Sequence, residues 1–163
     1  MNRNKVRVAA AAIACLAIAA AVFFLSHRQG QLVLTSAKTG EEYARYDLDP
    51  GEEFSVTFIH SVNKTPVTDA YDCDLDGNIY VRKTIYYGFG AGVPFDLNPG
   101  ETLSYAENGA LVISGIDRLI PDYLIFVGTV SDHTLALGGE EISLRDLCGR
   151  NAKVRISYEP PLF

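Results

Sequence analysis

The feature that most limits what this chain can fold into is the rhythm of residues 30–163. Short runs with strand-like alternation are each cut off by a turn signal, and no 15-residue stretch has the spacing of an amphipathic helix. In EFSVTFIHS, Phe54, Val56, Phe58 and His60 fall on one face, with Ser55, Thr57 and Ile59 on the other. Asp49-Pro50-Gly51 turns the chain just before this run, because proline presets φ and glycine accepts a positive φ. The clearest hairpin spans Val67 to Tyr87, with a two-residue turn expected at Asp76-Gly77. On its return strand, Ile79, Val81, Lys83 and Ile85 are expected to face away from Tyr80, Arg82, Thr84 and Tyr86. Asn98-Pro99-Gly100-Glu101 is another turn, after which GALVISGIDRLI, YLIFVGTV and AKVRISYE resume the pattern. Glu140 to Leu144 reads as a strand, or Ser143 caps a helical turn over Leu144 to Leu147. Eight or nine strands predict an all-β fold, a compact antiparallel β-sandwich or a partly open barrel.

Residues 1–28 stand apart from this body, which occupies residues 30–163. Arg3, Lys5 and Arg7 precede an apolar run of 18 residues, Val8 to Leu25. As a helix it would span ~27 Å, close to the ~30 Å hydrocarbon core of a bilayer. The run is longer than a secretory hydrophobic region, so the preferred reading is an uncleaved, single-pass anchor. Its basic leading flank predicts a cytoplasmic N-terminus with the body outside the cytoplasmic membrane. Cleavage near Ala19-Ala20-Ala21, releasing a secreted or periplasmic body, is the alternative. Lipidation at Cys15 is disfavoured, because the apolar run continues for ten residues beyond it.

The segment holds four basic residues and no acid, leaving ten basic against twenty acidic residues in the body. A body near −10 disfavours nucleic acid, whose binding requires phosphate neutralisation. Cys73 and Cys148 are its two cysteines. An oxidising compartment would permit a disulfide between them, and two buried thiols are the alternative.

Asp72-Cys73-Asp74-Leu75-Asp76-Gly77-Asn78 resembles the front of a calcium loop, but its twelfth position is Lys83, which cannot ligate. The acids read instead as the solvent face of a hairpin tip, and no metal or cofactor is expected. His60 and Ser61 are neighbours on one run, point to opposite faces and make a poor nucleophile–base pair; His60 could instead meet Asp69 or Ser131 after folding. There is no G-x-S-x-G elbow and no H-E-x-x-H set. Gly88-x-Gly90-x-Gly92 lacks nucleotide-fingerprint spacing and reads as a tight corner that lets another chain segment or ligand come close, with Pro94 fixing the exit. Tyr71, Tyr80, Tyr86, Tyr87 and Phe89 gather around the same hairpin, which suits half-buried faces and interfaces.

Phe58-Ile59-His60-Ser61-Val62, then Pro66, Asp69 and Gly88-Phe89-Gly90-Ala91-Gly92-Val93-Pro94 form a recognisable combination. It resembles the DUF1850 family of small membrane-anchored proteins, over roughly Leu32 to Tyr158. The resemblance implies association with TRAP transporters of the TAXI type, with no catalytic role. His60, Ser61 and Pro66 match the first motif; Phe89, Gly90, Ala91, Gly92 and Pro94 match the second. Asn63 stands where members often carry glutamate, and Asp69 is the shorter acid at a second position. The expected function is a non-catalytic accessory protein that touches the permease or the solute-binding protein through the His60 corner, the Asp69–Tyr71 strand and the Phe89-to-Pro94 corner. There His60 would donate a hydrogen bond, Asp69 accept one and Phe89 supply apolar contact. A small-molecule-binding β-domain is one rival. A hydrolase, needing a nucleophile ~3 Å from its base, is the other.

Overall fold

Among the described residues of the body, eleven strands and one short helix arise from these runs in a computed structural model, which describes residues 12–19, 22, 29–88, 90, 93, 94 and 96–162. The strands are β1 (Gln31–Ser36), β2 (Glu42–Asp47), β3 (Phe54–Ile59), β4 (Pro66–Cys73), β5 (Ile79–Tyr86), β6 (Thr102–Tyr105), β7 (Leu111–Ile120), β8 (Tyr123–Phe126), β9 (His133–Leu137), β10 (Glu140–Ser143) and β11 (Lys153–Glu159). The helix, α1, covers Leu144–Cys148. Both readings of the Ser143 region hold in succession. Strand β10 ends at Ser143, whose Oγ then accepts the Asp146 N–H at 3.0 Å and caps α1.

Two antiparallel sheets result. The smaller runs β2-β1-β11-β8, and the larger runs β10-β9-β3-β4-β5-β7-β6. Neither closes into a barrel, so of the two expected architectures the sandwich is the one formed. Leu32 and Leu34 of β1 with Val154, Ile156 and Tyr158 of β11 form one wall of the core. Phe54 and Val56, Tyr71 and Cys73, Ile79 and Val81, and Leu135 and Leu137 face them from the larger sheet. Tyr158 buries its hydroxyl by donating to the Leu48 carbonyl at 3.0 Å, and Gly30 leaves room for that ring, since a Cβ there would overlap the phenol oxygen.

The β4–β5 hairpin forms where expected, with one more residue in its turn. The Asp74 N–H donates to the Asn78 carbonyl and the Gly77 N–H to the Asp74 carbonyl, so residues 75–77 span the turn and Gly77 takes φ 86°. The Asp74 carboxylate accepts the N–H groups of Asp76 and Asn78 and the Asn78 side-chain amide. The acid thus serves its own turn.

The expected alternation of β5 fails after Val81. Tyr71 lies opposite Val81 and Ala70 opposite Lys83, leaving Arg82 as an extra residue. Beyond this bulge Thr84, not Lys83, turns inward opposite Asp69. Strand β6 is an addition to the expected set: four exposed residues on the edge of the larger sheet.

Cys73 and Cys148 are free thiols, which corrects the bridged alternative. Cys73 is buried near Tyr158, while Cys148 is half-buried in α1 near Tyr46. Burial pushes them up to about 12 and about 11 respectively, which disfavours the reactive thiolate. Of the expected anchor, residues 12–19 and 22 are helical, and the rest lies outside the described residues. Among the described residues, no helix is long and apolar enough to cross a membrane.

Candidate functional site

The registers gather several loops at one end of the sandwich. Strand β3 ends at Ile59 opposite Pro66, β5 ends at Tyr86 opposite Leu111, and β9 begins at His133 opposite Phe58. The turn at residues 60–65, the start of the glycine segment and residues 127–132 therefore share that end. The chain enters the domain at the other, where Gln31 pairs with Glu159.

His60 organises the first of these loops. It lies just past β3, its N–H donates to the Thr65 carbonyl at 2.9 Å, and its carbonyl accepts the Lys64 N–H at 2.9 Å. Its Nδ1 accepts the N–H groups of Val62 and Asn63 at 3.3 and 3.4 Å. In the neutral ring this leaves the proton on Nε2. Thus His60 closes its own turn rather than pairing with Asp69, and Ser61 stands exposed on the same turn.

The two expected corners meet. A Cβ on Gly88 would stand 2.6 Å from Cγ2 of Thr65, and one on Gly90 would stand 2.6 Å from Oδ1 of Asn63. Gly90 also has φ 140°, a conformation that L side chains rarely adopt. The glycines let the second motif lie against the first. Phe89, Ala91 and Gly92 lie outside the described residues. Pro66 opens β4, and Pro94 lines a cavity of about 220 Å³ with Thr84, Tyr86 and Arg118.

Asp69 and Tyr71 belong to a different feature. The larger sheet has seven strands and the smaller four, so β8 ends the cover and leaves an open cleft of about 330 Å³. Val56, Phe58, Asp69, Tyr71, His133 and Tyr123 line it, together with the rest of β8. Asp69, on the cleft wall, accepts from the Thr84 hydroxyl at Oδ1, 2.6 Å, and from the Tyr71 hydroxyl at Oδ2, a longer 3.5 Å. The Tyr71 and Tyr123 rings lie against each other, with centroids 4.8 Å apart. Phe58 stacks on His133 at 5.8 Å.

Burial raises the Asp69 carboxyl above its ordinary range, against the lowering action of Thr84, Arg118 and Tyr71. Among the described residues no cation stands within ion-pair distance of it. Burial also lowers His133, whose Nδ1 is enclosed without a hydrogen-bond partner among the described residues. Of these residues Asp69 and Tyr71 were expected at a site. Thr84, Tyr123 and His133 were not: the bulge concealed Thr84, and cross-sheet packing has no signature in local spacing.

No curated protein and no solved structure matches the chain. A family model described as a domain of unknown function, DUF1850, matches residues 54–144. The match is narrower than the expected Leu32 to Tyr158, but it holds every strand of the larger sheet, β8 and every residue lining the cleft. It covers more than half of the chain, and this protein therefore belongs to the DUF1850 family.

Proposed function

We propose that this chain is a non-catalytic accessory protein of a TAXI-type TRAP transporter. Residues 8–25 anchor it in the cytoplasmic membrane, and the β-domain contacts the transporter's proteins outside. The observation that carries the reading is the convergence of both motifs on one end: Thr65 packs over Gly88 and Asn63 over Gly90. Val62 and Val130 stand exposed at the same end, which suits contact with another protein.

The direction of the chain favours one partner. It enters the domain at the opposite end, and the eight residues of β4 alone extend roughly 26 Å. An anchored body would thus hold its motif corner away from the bilayer, toward a soluble solute-binding protein rather than the permease. The test is affinity isolation of the tagged full-length chain from gently solubilised native membranes. Enrichment of the solute-binding protein over a tagged membrane control is expected, with loss of that enrichment in Val62→Glu. Recovery of neither transporter protein, with both expressed, would overturn the proposal. The open cleft favours a second reading, a small-molecule-binding β-domain, because its volume and few convergent polar groups fit the lower end of ligand sites.

A further inference from the structure

The accessory reading leaves the cleft beside β8 without a task, although its construction is specific. We infer that the cleft binds a small organic cation, its ammonium head at Asp69 and its alkyl stem along Phe58, Tyr71 and Tyr123.

Three observations select this chemistry. Asp69 carries a carboxylate on the inner face of the larger sheet, 2.6 Å from the Thr84 hydroxyl, with no ion-pair partner among the described residues. Each carboxylate oxygen has two acceptor positions, so the bonds from Thr84 and Tyr71 leave capacity for a further donor. The rings of Phe58, Tyr71 and Tyr123 line the same space and offer apolar contact to an alkyl stem. His133 adds no opposing charge near neutral pH, because its burial favours the uncharged ring. An anionic ligand would meet the carboxylate without a compensating cation on the lining.

The rim supplies further acceptors. Tyr123 and Ile125 point inward, so alternation places the side chains of Leu124 and Phe126 on the outer face. What those two residues offer the cleft is the strand itself, and β8 ends its sheet with alternate backbone groups lacking a strand partner. Carbonyls on that edge can accept from an ammonium head that also reaches Asp69. Bulk at the head is limited by the size of the cleft, about 330 Å³.

The test is calorimetric titration of the purified full-length chain with n-butylammonium, Nα-acetyl-lysine amide and butyrate. Saturable binding of an ammonium probe is expected, about tenfold or more tighter than butyrate and about tenfold weaker in Asp69→Asn. Tighter binding of n-butylammonium assigns the site to free amines, and tighter binding of the lysine amide assigns it to a protein side chain. Amide-shift mapping on the unsubstituted chain, centred on Thr84 and His133, locates the site even if Asp69→Asn fails to fold. Absence of saturable ammonium binding, equal binding of butyrate, or shifts confined elsewhere would overturn the inference. Success or failure here is read without any transporter protein present, so it is independent of the accessory reading.

Discussion

The larger sheet presents two kinds of inner surface. Where β1 and β11 lie across it, Phe54, Cys73, Val81 and Leu135 are closed into an apolar core, and the polar atom of Tyr158 there is satisfied by the Leu48 carbonyl. Beyond the edge at β8 the same strands carry Asp69 and Thr84, and a carboxyl displaced upward by its surroundings. One half follows the rule that buried polar groups are paired. The other keeps an acid that is hydrogen-bonded but has no ion-pair partner among the described residues, in partial burial and at a cost, beside an open cleft. The difference teaches that the sandwich is built for stability only in part, and an acid whose carboxyl is raised by burial beside a cleft is a functional candidate on physical grounds.

Substitutions can break this comparison. Phe54→Ala removes a ring that is 1% exposed and stacked on Tyr71 at 5.1 Å; the expected loss is about 3–5 kcal/mol in a denaturant titration. A loss below about 1 kcal/mol would mean that the closed half does not hold the fold together. The motif corner lies between the extremes. Gly88→Ala should cost about 1–3 kcal/mol, because its Cβ would meet Thr65 at 2.6 Å. Thr65→Ala added to it should restore much of the loss, measured as a double-mutant cycle. Additive losses would refute the packing of one motif against the other.

The closed half was the more legible. Alternation in Phe54, Val56 and Phe58 and the turns at Gly51 and Gly77 are local signals, and the strands follow them. Strand β6 had no such signal, since all four of its residues are exposed and its place is set by pairing with β7. Residue Arg82 is illegible for a related reason. It is extra only relative to β4, and its side chain is held outside by Asp72, Asp117 and the Tyr80 ring. Asp69 and Tyr71 could be singled out from their motif. Their partner Thr84 depends on that one-residue slip, and Tyr123 on how a second sheet lies across the first. His60 was legible as a motif residue, but its role in closing residues 60–65 depends on backbone geometry that residue spacing does not express.

The smallest expected effect sharpens the comparison most. Asp69→Asn keeps the size and the acceptor for Thr84 while removing the charge that burial opposes. Because the folded carboxyl is raised, it favours the fold below its unfolded value, about 3.9. That contribution is lost as pH rises through the folded value. Asparagine does not titrate, so the variant's melting temperature relative to the unsubstituted chain should climb from acid toward neutral pH and then level off. Near pH 7 it should equal or exceed that of the unsubstituted chain, whereas truncating Phe54 is destabilising throughout. Melting curves across that range decide the matter. If Asp69→Asn is destabilising at pH 7 and the difference grows from acid to neutral, Asp69 is a structural anchor and the open half is built like the closed one. If the variant is as stable or more so, the acid is retained against stability, and the ammonium titrations become the direct measure of its purpose.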